Sequence, residues 1–336
     1  MEVPLYILLR EKNIMPKLIA EFCQNHNGDF ELLARMTEEA SKSGATHGKM
    51  QTIFAKNLSF RPQFEEGLVQ GNVVKSIKRP YDDEYSRLKS LEISYEQMEK
   101  FIKICNDNGL IPMTTCFARD SINDLVKQGF NSIKVASYDC ASFPMINELA
   151  DNFDEIVVST GATYDDEIKE VARLLSNKNF SLLHCVTLYP TPLDKMHMAR
   201  MEWLKELSSE VGYSDHSLVS ETGLLASKAA LSLGASIIER HFTILAPDKT
   251  KDGPVSINAK QLKEISEFSK LDIEDRIVKM DKDYPNWRVV IGEKHRRLSD
   301  EELLNRDYYR GRFASLREES VSGSRMINNW ESTTLI

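Results

Sequence analysis

Residues 212–241 read GYSDHSLVSETGLLASKAALSLGASIIERH. Two apolar segments in this stretch end in histidine, Gly212-Tyr-Ser-Asp-His216 and Ile237-Ile-Glu-Arg-His241, and a helix-like run from Ser220 to Leu233 separates them. Alternating strands and helices bring the ends of successive parallel strands to one rim, so the two imidazoles come side by side. Taken singly, each histidine also reads as a loop residue satisfied by its surroundings. The remaining segments shift that balance, because they too end in residues suited to metal, phosphate or carbohydrate.

Outward from this stretch the same rhythm runs from about Lys17. Strand-like runs are Leu18–Glu21, Gly48–Thr52, Pro112–Cys116, Ser132–Ala136, Ile156–Ser159, Ser181–Val186, Val211–Ser214 and Ser236–Glu239. Helical patterns alternate with them, from Glu31–Ser43 through Val219–Leu233, and Gln261–Leu271 closes the series. Apolar strands in strict alternation with helices predict an α/β fold, a closed parallel (β/α)8 TIM barrel. An open doubly wound sheet is the structural runner-up, but the chain has neither G-x-G-x-x-G nor a P-loop. The expected organisation is an N-terminal extension (1–16), a barrel domain (17–271) and a short, mostly irregular C-terminal tail (272–336), where apolar periodicity fades. The polar stretch Phe54–Lys89 reads either as a lid or specificity loop or as a solvated excursion.

Composition bounds the function. A chain of 336 residues with a formal charge of −8 lacks the clustered cations of a nucleic-acid surface. Five cysteines with no C-x-x-C pair read as free thiols in a reducing compartment. No apolar run reaches the roughly 18 residues of a membrane span, and the N-terminus lacks the pattern of a signal peptide. The expectation is a soluble, cytoplasmic chain without membrane or nucleic-acid partners.

The active site of such a barrel lies at the C-terminal ends of its strands. Those ends supply Glu21, then Lys49 and Gln51 on one face with Met50 turned away, then Thr114 and Thr115. Lys134, Ser137 and Asp139 follow, then Ser159-Thr160-Gly161, then His184, Thr187 and Tyr189, then Ser214-Asp215-His216, then Glu239 and His241. Two lysines and several hydroxyls at one mouth suit a phosphate or carboxylate, although either lysine alone also reads as an interior salt bridge. The two histidines beside a carboxylate suit a divalent metal, with water and substrate completing its shell.

Taken together, Ile19-Ala-Glu-Phe-Cys-Gln-Asn-His-Asn-Gly28, Lys49-Met-Gln-Thr52, Lys134-Val-Ala-Ser-Tyr-Asp139, Val158-Ser-Thr-Gly161, Leu183-His-Cys185 through Tyr189-Pro190, Gly212-Tyr-Ser-Asp-His-Ser217 and Glu239-Arg-His-Phe-Thr243 run in one order. In that order they resemble the sialic acid (N-acetylneuraminate) synthase family, which includes legionaminate and pseudaminate synthases. The resemblance implies a barrel enzyme that condenses phosphoenolpyruvate with an acylamino sugar of the N-acetylmannosamine type. The products are a nine-carbon 3-deoxy-2-keto acid and phosphate. It further implies that His216 and His241 bind a divalent metal, Mn2+ or Mg2+, that polarises the sugar aldehyde. Glu21 and Asp139 join the two histidines as the catalytic set. Lys49, Gln51, Thr115, Lys134, Ser137, Ser159, Thr187 and Ser214 match phosphoenolpyruvate-binding positions, and Tyr189 and Asp252 match sugar-binding ones. A homodimer is implied as well.

The chain departs from the family pattern at three places. Thr187 stands where the family has Asn, and Asp139 where Glu is common. Nothing after Leu271 aligns with the antifreeze-like domain that many members carry. The expectation is therefore a barrel-only member whose sugar clamp comes from the Phe54–Lys89 loop, the tail or another subunit. Residues Met1–Ile14 precede the usual family start, which makes Met15 a candidate initiator. Two rival readings are a synthase of eight- or seven-carbon 3-deoxy keto acids (KDO or DAHP type), which needs extra cations for a second phosphate, and a non-catalytic sugar- or phosphate-binding barrel.

Overall fold

A computed structural model describes residues 15–320 and 323–333; the candidate initiator reading concerns residues 1–14, which lie outside the described residues. Eight parallel strands close into a barrel: β1 (Lys17–Glu21), β2 (His47–Thr52), β3 (Ile111–Cys116), β4 (Ser132–Val135), β5 (Glu155–Ser159), β6 (Asn179–His184), β7 (Glu210–Asp215) and β8 (Ile237–His241). Each strand pairs with its neighbours in sequence, and β1 pairs with β8 to close the ring. The TIM-barrel expectation is met. No helix among the described residues is long and apolar enough to cross a membrane.

The barrel interior is layered, and the period-two alternation of each strand sets the layers. At the N-terminal ends, Lys17 Nζ bridges Glu155 (2.7 Å) and Glu210 (2.8 Å), and Ser132 and Ser181 donate to the same two carboxylates. Next comes an apolar layer of Ile19, Met113, Val157, Leu183 and Ile237. Two residues further along four of those strands stand Glu21, Thr115, Ser159 and Glu239. The barrel thus changes from greasy to polar within one repeat of each strand. Outward-facing residues such as Met50, Ile133, Val158 and Ile238 pack instead against the surrounding helices in the main core.

The register carries the site. Glu21 lies opposite His241 on one side and Lys49 on the other. Gln51 lies opposite Thr115, Thr115 opposite Lys134, and Glu239 opposite Ser214. The predicted helix Val219–Leu233 is two pieces, Val219–Thr222 and Leu225–Ser232. Gly223 between them takes a positive φ of 56°, which halts the first.

One element corrects the sequence expectation. The tail is not mostly irregular: it forms helices Ile273–Asp283 and Asp300–Tyr309 and an antiparallel hairpin, Ala314–Ser320 with Gly323–Asn328. The Asp300–Tyr309 helix starts with a capping box in which Ser299 and Glu302 satisfy each other's backbone. It docks through polar groups: Arg306 donates to the Ala162 carbonyl at 2.6 Å and pairs with Glu167 at 2.5 Å. Hydropathy does not register such contacts. The Phe54–Lys89 insertion likewise has structure, with an exposed hairpin (Leu68–Gln70, Val73–Ser76) and a helix, Tyr81–Lys89.

Gly212 tests the barrel's packing. A β-carbon there would stand 2.3 Å from the Ile237 carbonyl oxygen and 2.7 Å from Leu183 Cδ2. Gly212→Ala should therefore cost about 1–3 kcal/mol of stability, as overpacking in a full core does. The expected readout is a lower urea midpoint with an unchanged slope; an unchanged midpoint would show that the interior yields.

Candidate active site

The cavity at the C-terminal end of the barrel has a volume of about 430 Å3, within the usual range for small-molecule pockets. Its floor is a buried ionic network centred on Glu239. Glu239 accepts from Ser214 Oγ at 2.7 Å and lies 3.4 Å from Lys49 Nζ and 3.8 Å from Lys134 Nζ. Lys49 also pairs with Glu21 and donates to Thr115 Oγ1 at 3.1 Å, while Lys134 donates to Ser159 Oγ at 2.6 Å. Two buried ammonium groups are thus matched by two buried carboxylates, as charges removed from water require.

The network shifts its members' affinities for protons. Burial pushes the Lys49 ammonium down to about 8, against the pull of Glu239 and with help from the charge of Lys134. Burial alone raises a carboxyl, yet the charges of Lys134 and Lys49 outweigh it and bring Glu239 down to about 2.

Beside this floor stand the two histidines, their ring centroids 5.4 Å apart. Burial lowers both, His216 to about 3, which leaves neutral rings with lone pairs to offer. Nδ1 of each is buried and has no hydrogen-bond partner. Tyr189 lies over His216 with centroids 4.3 Å apart. Ligand atoms of Cys23, His241 and Asp252 all fall within 4.8 Å of one another, a cluster able to hold a metal ion. Orphaned, neutral imidazoles next to a thiol and a carboxylate fit a divalent cation.

The rim comes from the insertion and the tail. Arg79 from the insertion, Lys251, and Asn305, Tyr309 and Arg312 from the tail all line the cavity. Tyr309 stacks on Tyr138 at 4.8 Å. Arg312 pairs with Glu84, which Arg87 also holds at 2.8 Å. The rim therefore carries more cationic than anionic side chains.

Of the residues given catalytic, binding or metal roles from sequence, Glu21, Lys49, Gln51, Thr115, Lys134, Ser137, Ser159, Tyr189, Ser214, His216, His241 and Asp252 line this one cavity. Asp139 and Thr187 do not. Asp139 is buried behind the wall, accepting from Asn329 Nδ2 at 2.9 Å and Ser142 Oγ at 3.2 Å, and Tyr138 faces the cavity in its place. Thr187 offers its carbonyl to Asn305 Nδ2 at 2.8 Å. Glu239, read from sequence as a strand-end residue of the site, was given no specific role there, although it stands two residues before His241 on the same face of β8. Sequence reasoning left out Cys23, two residues past Glu21. The tail was expected as one source of a sugar clamp, but the sequence marked none of its residues for the site.

Burial lifts the Asp139 carboxyl to about 6, with Asn329 and Ser142 only partly opposing it. A folded-state value above the unfolded one means a contribution present below about pH 4 and lost as pH rises through 6. Relative to Asp139→Asn, the wild-type chain should lose up to about 2–3 kcal/mol of stability across that window. Urea titrations at pH 4 and pH 7 check this; parallel pH profiles for the two proteins would refute it.

The sequence profile described as the NeuB family matches residues 36–272. The N,N'-diacetyllegionaminic acid synthase of Campylobacter jejuni is 30% identical over 263 residues, 73% of each chain. The enzyme of the same name from Legionella pneumophila is 29% identical over 320 residues, 92% of this chain and 82% of that one. A solved structure of the N-acetylneuraminic acid (sialic acid) synthetase from Leptospira borgpetersenii superimposes with a TM-score of 0.64 at 24% identity, covering 88% of this chain and 92% of that one, and so shares the fold. With its profile matched over most of the barrel, the chain belongs to the NeuB family.

Proposed function

We propose that this chain is a nonulosonic acid synthase that joins phosphoenolpyruvate to the open-chain aldehyde of an acylamino sugar, giving a nine-carbon 3-deoxy-2-keto acid and phosphate. The observation that carries the proposal is one cavity with a lysine- and hydroxyl-lined floor at one end and a metal-capable cluster at the other. Membership of a family whose named relatives are acid synthases supports it.

In this reading Lys49, Lys134, Thr115, Ser159 and Ser214 hold the phosphate and carboxylate by charge-assisted hydrogen bonds. They keep carbon 3 of the enol in near-attack range of the aldehyde. A divalent cation at the histidine end supplies Lewis acidity for the aldehyde oxygen. After the carbon–carbon bond forms, carbon 2 takes up water and phosphate departs. Lys49, brought to about 8, is matched to proton transfer near neutrality, and its contact Glu21 is the oxygen base at the same place. Tyr189, Asp252 and the tail residues Asn305, Tyr309 and Arg312 form the sugar end, so the clamp comes from this chain's own tail and insertion.

A second reading has a specific observation behind it. Arg79, Lys251 and Arg312 at the mouth favour an acceptor sugar that itself carries an anionic group, the feature that KDO- and DAHP-type substrates share. Phosphate release from phosphoenolpyruvate with a panel of 2-acetamido sugars, free and phosphorylated, with and without manganese, separates the two. No turnover with any sugar and no binding of phosphoenolpyruvate would overturn both.

Lys134→Ala should raise KM for phosphoenolpyruvate roughly ten- to a hundredfold, the worth of a hydrogen bond to a charged group, and leave KM for the sugar nearly unchanged. An unchanged phosphoenolpyruvate KM would remove Lys134 from the site. His241→Ala should lose metal-dependent turnover and keep its circular dichroism spectrum; activity retained in chelator would refute its role.

A further inference from the structure

Cys23 belongs to the cavity wall and to the metal-capable cluster, but the proposed function gives it no role. It follows β1, on the turn after Glu21, and takes a positive φ of 44°. That region suits glycine, so a side chain kept there is held against strain. The thiol is buried and aimed into the cavity, where Sγ donates to Asp252 Oδ2 at 3.0 Å. His241, the third member of the cluster, is 93% buried and its Nδ1 has no partner. His216, its ring 5.4 Å from that of His241, has an equally unpartnered Nδ1. Sulfur, nitrogen and oxygen donors therefore converge with two imidazole lone pairs unused.

We propose that Cys23 is a metal ligand, acting as a thiolate with His241 and Asp252, and that the site consequently selects a borderline divalent ion of the zinc, cobalt or ferrous type over Mn2+ or Mg2+. Hard ions favour oxygen donors, whereas thiolate and imidazole favour softer ones. On binding, the Sγ–H bond breaks, its electron pair forms the bond to the metal, and the proton leaves through the cavity to solvent. Thiolate and carboxylate together neutralise a divalent ion, which suits a buried site. Asp252 is then drawn from the sugar to the metal, and His216 is the fourth protein donor. The inference rests on the proposed function only for what the metal does to substrate; binding is read without turnover.

The full chain, stripped with EDTA and loaded with Co2+, should show a near-ultraviolet thiolate-to-cobalt charge-transfer band that Cys23→Ser lacks. Zn2+ affinity in Cys23→Ser should fall by at least the roughly tenfold to hundredfold that losing a mere outer-shell partner costs. A cobalt complex without the band, or one that keeps it in Cys23→Ser, overturns the proposal. Wild-type protein gives a check that needs no folded variant: Zn2+ should protect Cys23 from iodoacetamide in peptide mass mapping. Equal alkylation with Zn2+ and with EDTA overturns it too. A thiolate band in a protein that condenses no sugar leaves the ligand assignment standing and sinks the synthase reading alone.

Discussion

Glu239 is the group on which the cavity depends. Two lysines cannot stand buried at the end of a barrel unless carboxylates offset their charge, and Glu239 lies within 3.8 Å of both. With Glu21 on Lys49 and hydroxyls on each ammonium, every charge on the floor has a partner before substrate arrives. The donors are consequently fixed in place, which is what an anion site needs if it is to orient its ligand rather than merely attract it.

That network stands on a layer of hydrocarbon. The interior passes from the Lys17–Glu155–Glu210 plug through five apolar side chains to the polar floor. Alternation along each strand produces the sequence of layers, and closure of the ring makes them coplanar. The register then does the fine placement: Glu21 faces both Lys49 and His241, so the anion end and the metal-capable end of the cavity meet at one residue.

The rim follows a different logic. The Asp300–Tyr309 helix docks on the barrel through arginine and glutamate, whereas Met280, Trp287 and Val290 earlier in the tail join the main core and Phe313 packs beside Leu58 and Phe117. A polar dock of this kind brings Arg312, Tyr309 and Asn305 over the mouth. It also fixes Asp139 from behind through Asn329, turning a strand-end carboxylate away from the cavity and leaving Tyr138 to face it.

The barrel was legible in the sequence because its information is local. Each apolar strand, and the helical pattern that follows it, report burial over a few neighbouring positions. The chemistry at the strand ends was legible for the same reason, which is why twelve of the fourteen residues given catalytic, binding or metal roles from sequence line one cavity. Glu239 was legible as a strand-end carboxylate, but its place between the two lysines was not. What only the tertiary structure decided depends on segments far apart in the chain. Cys23 meets Asp252 across 229 positions, Arg312 meets Glu84 across 228, and Asp139 is claimed by Asn329 across 190. Periodicity does not encode such contacts. They arise from barrel closure and polar docking, where the match is between shapes and hydrogen-bonding groups rather than between hydropathies.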